Sequence, residues 1–200
     1  VGPSSPDLTK DGWDVQVQVM HLSPFLLLRL LQDKLETSGR AHVDPAHVVV
    51  LTSAAAYWGG VHPQTFEKDG RKGTWSWTTY ADARLMSRLV AREFARRAGS
   101  QATVKATAVS PGLFAFPASA NGASDRHWAV RGVVSFVNLL RSPQAGAARV
   151  LRVLAGLERA SSGDALDALL PTGWFVPAGA TETSARWLWS ESSRVVGVAP

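Results

Sequence analysis

The sequence predicts an α/β fold in which a small parallel sheet is flanked by helices. Residues 47–53 form an apolar run that ends in the hydroxyls Thr52 and Ser53, the pattern of a strand covered on both faces in a parallel sheet. Residues 79–99 follow as a helix, with Leu85, Leu89, Val90 and Phe94 facing inward, Thr79 at its N-cap and Gly99 as its stop. A second strand, residues 103–109, leads into Ser110-Pro111-Gly112. Tyr80 and Arg84 lie one helical turn apart on one face of that helix, so their head groups can converge on a shared ligand. Ser53 can join them at the carboxyl edge of the sheet, where open α/β folds bind ligands.

The remaining elements follow in order. Residues 1–12 are turn-rich, ending in Thr9-Lys10-Asp11-Gly12. Residues 13–35 are helical by pattern, with Leu22, Phe25, Leu26 and Leu30 on a broad apolar face. Pro24 marks a kink or restart, because it has no backbone donor. Between Ser53 and Tyr80 lie 26 residues rich in Gly, Pro and aromatics, among them Tyr57, Trp58, Trp75 and Trp77; a connection of that length suggests a functional or docking loop. Residues 113–125 read as loop, 128–140 and 143–158 as helices, 173–177 as a short last strand, and 185–195 as a closing helix. There is no internal repeat, low-complexity tract or second domain, and the expected organisation is one domain over residues 1–200.

Composition narrows the function classes. The chain has 200 residues, 46% of them apolar, enough to bury a sizeable core. With no cysteine, disulfides, thiolate zinc sites and cysteine nucleophiles are excluded. The histidines and acids show no metal-ligand spacing. The formal charge is +5, but much of it falls on Arg88, Arg92, Arg96 and Arg97, spaced as a solvated helix face, and no nucleic-acid motif accompanies it. The longest charge-free apolar stretch, residues 15–28, contains two glutamines and a histidine and is shorter than the roughly 20 residues of a membrane span. The expectation is a soluble or peripheral protein, placed in no particular compartment and compatible with an organelle or a large assembly. The first residue is not methionine and no signal-peptide pattern follows, as in a processed or partial product.

The order Ser53, Tyr80-x-x-x-Arg84, Pro111-Gly112 resembles the second half of the short-chain dehydrogenase/reductase family, whose signature is a serine after strand five, Tyr-x-x-x-Lys, and Pro-Gly after strand six. The long connection before Tyr80 and the ending Trp187-Leu188-Trp189 with Glu191-Ser192 resemble its retinol-dehydrogenase-like branch. The resemblance implies a partial Rossmann-like, doubly wound fold of about three parallel strands, lacking the N-terminal nucleotide-binding half with its Gly-x-x-x-Gly-x-Gly turn. An apolar strand with an open edge is an aggregation template unless something covers it. A partner chain is therefore expected along the free edge of Val48–Ser53.

In the family, the tyrosine is the general acid or base, the lysine lowers its pKa and holds the nicotinamide ribose, the serine orients the substrate oxygen, and an asparagine completes the proton relay. The resemblance makes Ser53, Tyr80 and Arg84 the catalytic candidates, and Pro111 and Gly112 the cofactor-binding ones. Arg84 stands where the family has lysine, and Met20, in Met20-His21-Leu22-Ser23, stands where it has asparagine. Phe116 stands where many members have threonine. His21 reads as a packed histidine. The expectation is a noncatalytic structural or interaction subunit with no cofactor of its own. The alternative is an NAD(P)-dependent carbonyl or alcohol oxidoreductase whose dinucleotide-binding half lies outside this sequence.

Overall fold

The computed structural model describes residues 8–68, 77–99, 103–112, 143–158, 161–167 and 179–199. A tight turn opens it, with Gly12 at φ +84° and Leu8 bridged to Asp14. Asp14 then caps α1 (Val15–Val17), its carboxylate accepting from the Gln16 and Val17 amides. The helix does not stop there. It widens into a π segment, Gln18–Leu22, and tightens again as α2 (Ser23–Ala41), with Pro24 in the first turn of α2. Proline here removes a backbone donor within a continuous helix, directly after a π turn in which the Ser23 amide bonds the Gln18 carbonyl. Pro24 cannot donate to the Met20 carbonyl four residues earlier, and the Ser87 hydroxyl lies 3.0 Å from that oxygen. The expected restart at Pro24 is thus present, joined to the preceding helix through the π segment.

β1 (Ala46–Leu51), β2 (Val104–Ser110) and β3 (Ala165–Asp167) form the sheet, in that order and all parallel. The expected fold of about three parallel strands with flanking helices is the one observed. β2 is central and buried at every position except Lys105. β1 differs from its expected burial: Ala46 to Val50 are half-buried and Leu51 is exposed. It lies at the sheet's edge, with β2 alone paired to it among the described residues. The third strand was expected at residues 173–177, which lie outside the described residues, as do 113–125 and 128–140; β3 lies earlier, directly after the Gly163 turn.

α3 (Trp77–Ala98) packs its apolar side across the sheet. Leu85, Leu89 and Phe94 are buried as expected, and Gly99 ends the helix at φ +78°. Thr79 is not the N-cap, because the helix already includes Trp77 and Thr79 is buried within its first turns. α4 (Pro143–Leu154) packs against β1. α5 (Glu182–Val196) is capped by the Thr181 hydroxyl, which accepts from the Ser184 amide, and closes on Gly197 in the left-handed region. The core joins Phe25, Leu85, Leu89, Phe94, Leu188 and Trp189 over Ala106 and Ala108. Each such fully buried large apolar side chain contributes roughly 1.5–3 kcal/mol of transfer free energy.

The basic face of α3 is less free than its spacing predicts. Arg92 donates to the Ala180 carbonyl, Arg96 and Arg97 bond Glu93, and Arg88 lies over the Tyr57 ring. Among the described residues no helix is long and apolar enough to cross a membrane, and no group of three or more histidines and acids is placed to hold a metal ion.

Candidate functional site

The carboxyl ends of β1 and β2 are locked in register, Leu51 opposite Val109, with the Thr52 amide donating to the Val109 carbonyl at 2.9 Å. Chain direction therefore brings Thr52-Ser53 beside Ser110-Pro111. α3 is tied to this edge by Thr52, whose hydroxyl donates to the Arg84 carbonyl at 2.8 Å. The Arg84 side chain folds back, donating through Nη1 to the Leu51 carbonyl at 3.4 Å while its guanidinium lies 5.0 Å over the Tyr80 ring. Trp77 flanks the same tyrosine, ring centroids 5.7 Å apart.

The candidates thus share one edge of the sheet, in different states. Ser53 caps the short 3-10 turn Ala54–Trp58, its hydroxyl oxygen accepting from the Ala55 amide at 3.3 Å. Tyr80 is half-buried at the start of α3. Gly112 follows β2 at φ +116°, a conformation that L side chains rarely adopt. Met20 lies in the π segment, its side chain packed against the core and its carbonyl facing Ser87 of α3. Two buried polar atoms at this edge have no hydrogen-bond partner: Arg84 Nε and Ser110 Oγ.

Two anchoring residues were not singled out from the sequence. Thr52 is one. The other is Asp82, buried among the apolar positions of α3, whose carboxylate accepts from the Gly60 amide at 2.7 Å and faces His62 at 4.0 Å. It fixes the start of the long connection against α3, where Gly59 approaches so closely that a Cβ would stand 2.3 Å from the Ala81 carbonyl oxygen. The signal for Asp82 was an acid set between Ala81 and Ala83 on an inward face.

His21 is a core residue, 1% exposed, its Nε2 2.7 Å from Ser192 Oγ. Phe25 and Phe66 pack against its ring. Burial pushes its pKa down to about 3, so it is neutral at physiological pH. Among the described residues no strand runs through a glycine-rich turn into a helix N-terminus, the construction that holds a dinucleotide pyrophosphate.

A three-stranded parallel sheet with flanking helices, a serine at its carboxyl edge and a tyrosine and an arginine one helical turn apart beside it is a partial Rossmann-like α/β arrangement and resembles the short-chain dehydrogenase/reductases. No family model matches the chain. It is 31% identical to human retinol dehydrogenase 13 and 29% identical to mouse retinol dehydrogenase 11, covering 95% of this chain and 56% of each relative. It is also 32% identical over 115 residues to the WW domain-containing oxidoreductase of Danio rerio, covering 54% of this chain and 26% of that protein. A crystal structure of an uncharacterized protein from Mycobacterium Paratuberculosis shares the fold, with a TM-score of 0.65 at 18% identity, covering 99% of this chain and 64% of that one. Over nearly its whole length the chain is thus similar to retinol dehydrogenases of the short-chain dehydrogenase/reductase family. It spans about 56% of the length of the retinol dehydrogenases it matches.

Proposed function

We propose that the chain acts as an interaction subunit derived from a short-chain dehydrogenase/reductase, and that it does not carry out hydride transfer itself. The observation that supports this most is the placement of Arg84. Its guanidinium is laid on the Tyr80 ring and directed to the Leu51 carbonyl, and a planar fork held in that way does not substitute for a compact ammonium in a ribose site. Met20 offers no polar side chain to a proton relay, while Ser53 accepts from the Ala55 amide and keeps its hydroxyl proton to donate. The interaction itself is assigned to the outer edge of β1, which pairs with no strand among the described residues and fits a further strand, supplied by another polypeptide or by further residues of a longer chain.

A second reading has its own support. Arg84 Nε and Ser110 Oγ are buried and unpartnered at the site edge, and the relatives are named as dehydrogenases and an oxidoreductase. On that reading the protein is an NAD(P)-dependent carbonyl or alcohol oxidoreductase whose dinucleotide-binding part lies beyond these residues. The test is NAD(P)H oxidation with retinal-like and simple carbonyl substrates, using the chain in the assembly or longer form that covers β1. Silence in both the unaltered protein and Tyr80→Phe supports the interaction role. Turnover abolished by Tyr80→Phe establishes the oxidoreductase instead.

A further inference from the structure

At the opposite edge of the sheet, where β2 begins at Val104, a cavity of about 310 Å³ opens between α2, the end of α3, and Trp189 of α5. Arg29, Arg40 and Arg97 line it, with Glu36 as the one carboxylate in its wall. Glu36 is engaged by Arg40 at 3.5 Å and by the Gln32 amide at 3.0 Å, Arg97 is paired with Glu93 at 2.8 Å, and Asp33 acts on the charge of Arg29. The Arg29 and Arg97 guanidiniums lie over the Trp189 ring, 5.1 and 4.9 Å from its centroid. Burial, and then the charge of Arg97, hold the Arg29 guanidinium below its ordinary pKa, while Asp33 pulls the other way.

The hydrogen-bond inventory of the wall is one-sided. Arg29 gives one terminal nitrogen to the Ala199 carbonyl at 2.9 Å, but its Nε is buried without a partner. Trp189 is 1% exposed, and its Nε1 is likewise buried without a partner. Arg97 gives its Nε to Glu93 at 2.8 Å, which leaves its terminal nitrogens for another acceptor. Indole and guanidinium N–H groups can only donate, so a group bound here would interact with them through acceptor atoms. Guanidinium geometry matches carboxylate and phosphate oxygens, and both arginines line the same cavity.

We propose that this cavity binds a small oxyanion, a phosphate or carboxylate group, between Arg29 and Arg97 beside the Trp189 indole N–H. The site lies at the end of the sheet away from Tyr80 and Arg84 and does not depend on the functional reading above. The probes are inorganic phosphate and, in a separate arm, acetate, titrated calorimetrically at constant ionic strength into the full chain in a soluble form. Saturable one-site binding of either ion is expected, with the stronger binder identifying the head group. Arg29→Gln with Arg97→Gln weakens it at least tenfold, and Arg40→Gln changes it less than twofold. Should the double variant not fold, the indole N–H resonance of Trp189 in the unaltered chain provides the second measurement, expected to shift with saturation. Absence of saturable binding in both arms, undiminished binding in the folded double variant, or a Trp189 resonance that stays fixed at saturation overturns the proposal.

Discussion

The Thr52 hydroxyl donates to the Arg84 carbonyl at 2.8 Å, so the end of the first strand and the helix carrying the tyrosine are held by a side chain. Thr52 is 7% exposed, and Thr52→Val removes the donor while keeping the volume. Because the Arg84 carbonyl sits inside the helix Trp77–Ala98 and also accepts along the helical ladder, losing the Thr52 bond costs about 0.5–1.5 kcal/mol. Denaturant midpoints at unchanged slope check the value, with Thr52→Ser expected to retain most of the stability. If valine is neutral, the bond does not hold α3 in place.

Gly59 is a steric requirement of the same edge. A Cβ there would stand 2.3 Å from the Ala81 carbonyl oxygen and 2.7 Å from its carbon, and backbone cannot move aside as a side chain does. Gly59→Ala is expected to cost about 3 kcal/mol, the upper end of ordinary overpacking, and to release Gly60 from Asp82. Thermal unfolding and amide exchange at Gly60 test the two effects separately.

The acid side of the stability curve belongs first to His21. Its folded pKa of about 3 lies below the unfolded value of 6.5, so between those values the unfolded chain binds more protons. Stability is therefore full above pH 6.5 and falls as pH drops toward 3. Glu93 adds a later loss. Burial raises its pKa, but bonds and charges from Arg96 and Arg97 outweigh burial and hold it below 4.5; its contribution is present above 4.5 and vanishes as pH falls through the folded value. Urea midpoints from pH 7 to 5 report His21 together with His47, whose pKa burial and then the Lys105 charge also lower, and His21→Gln should reduce the slope of that segment. A slope unchanged by the substitution would show that another group governs it.

The parts of this fold legible in the sequence are those where one physical signal dominates. β1, β2 and α3 were readable because apolar runs and a 3.6-residue period extend over several residues, and the Tyr80 to Arg84 spacing followed from helical geometry. β3 was missed because three residues, Ala165 to Asp167, carry too little pattern to be distinguished from loop. The burial of β1 was overestimated because sequence shows which residues are apolar, not whether a neighbouring strand covers them. Thr79 has a capping side chain, but the helix had already begun at Trp77. At the site, residue types and order were visible while their engagement was not. No spacing rule reveals that Ser53 caps Ala55, that Arg84 turns to the Leu51 carbonyl, or that Arg29 and Arg97 meet over Trp189 from distant positions.

The last prediction concerns the two mismatched positions together. Met20 contributes its carbonyl to the contact with Ser87, so Met20→Asn leaves that backbone contact available while placing an amide where the family has one. Arg84→Lys exchanges the fork on the Tyr80 ring for an ammonium that can be directed at a ligand, at a loss of about 0.5–1 kcal/mol in cation–π attraction. Each change alone leaves one role of the family's relay unfilled. In the assembly or longer form that covers β1, NAD(P)H oxidation is therefore expected to appear in the double variant first, and to disappear when Tyr80→Phe is added. Single-turnover absorbance at saturating nucleotide is the measurement, since it separates chemistry from product release. Activity in Arg84→Lys alone would make the arginine the sole block and Met20 incidental. Silence in the double variant with nucleotide demonstrably bound would mean that the Ser53 cap or the substrate pocket, rather than these two residues, prevents the reaction.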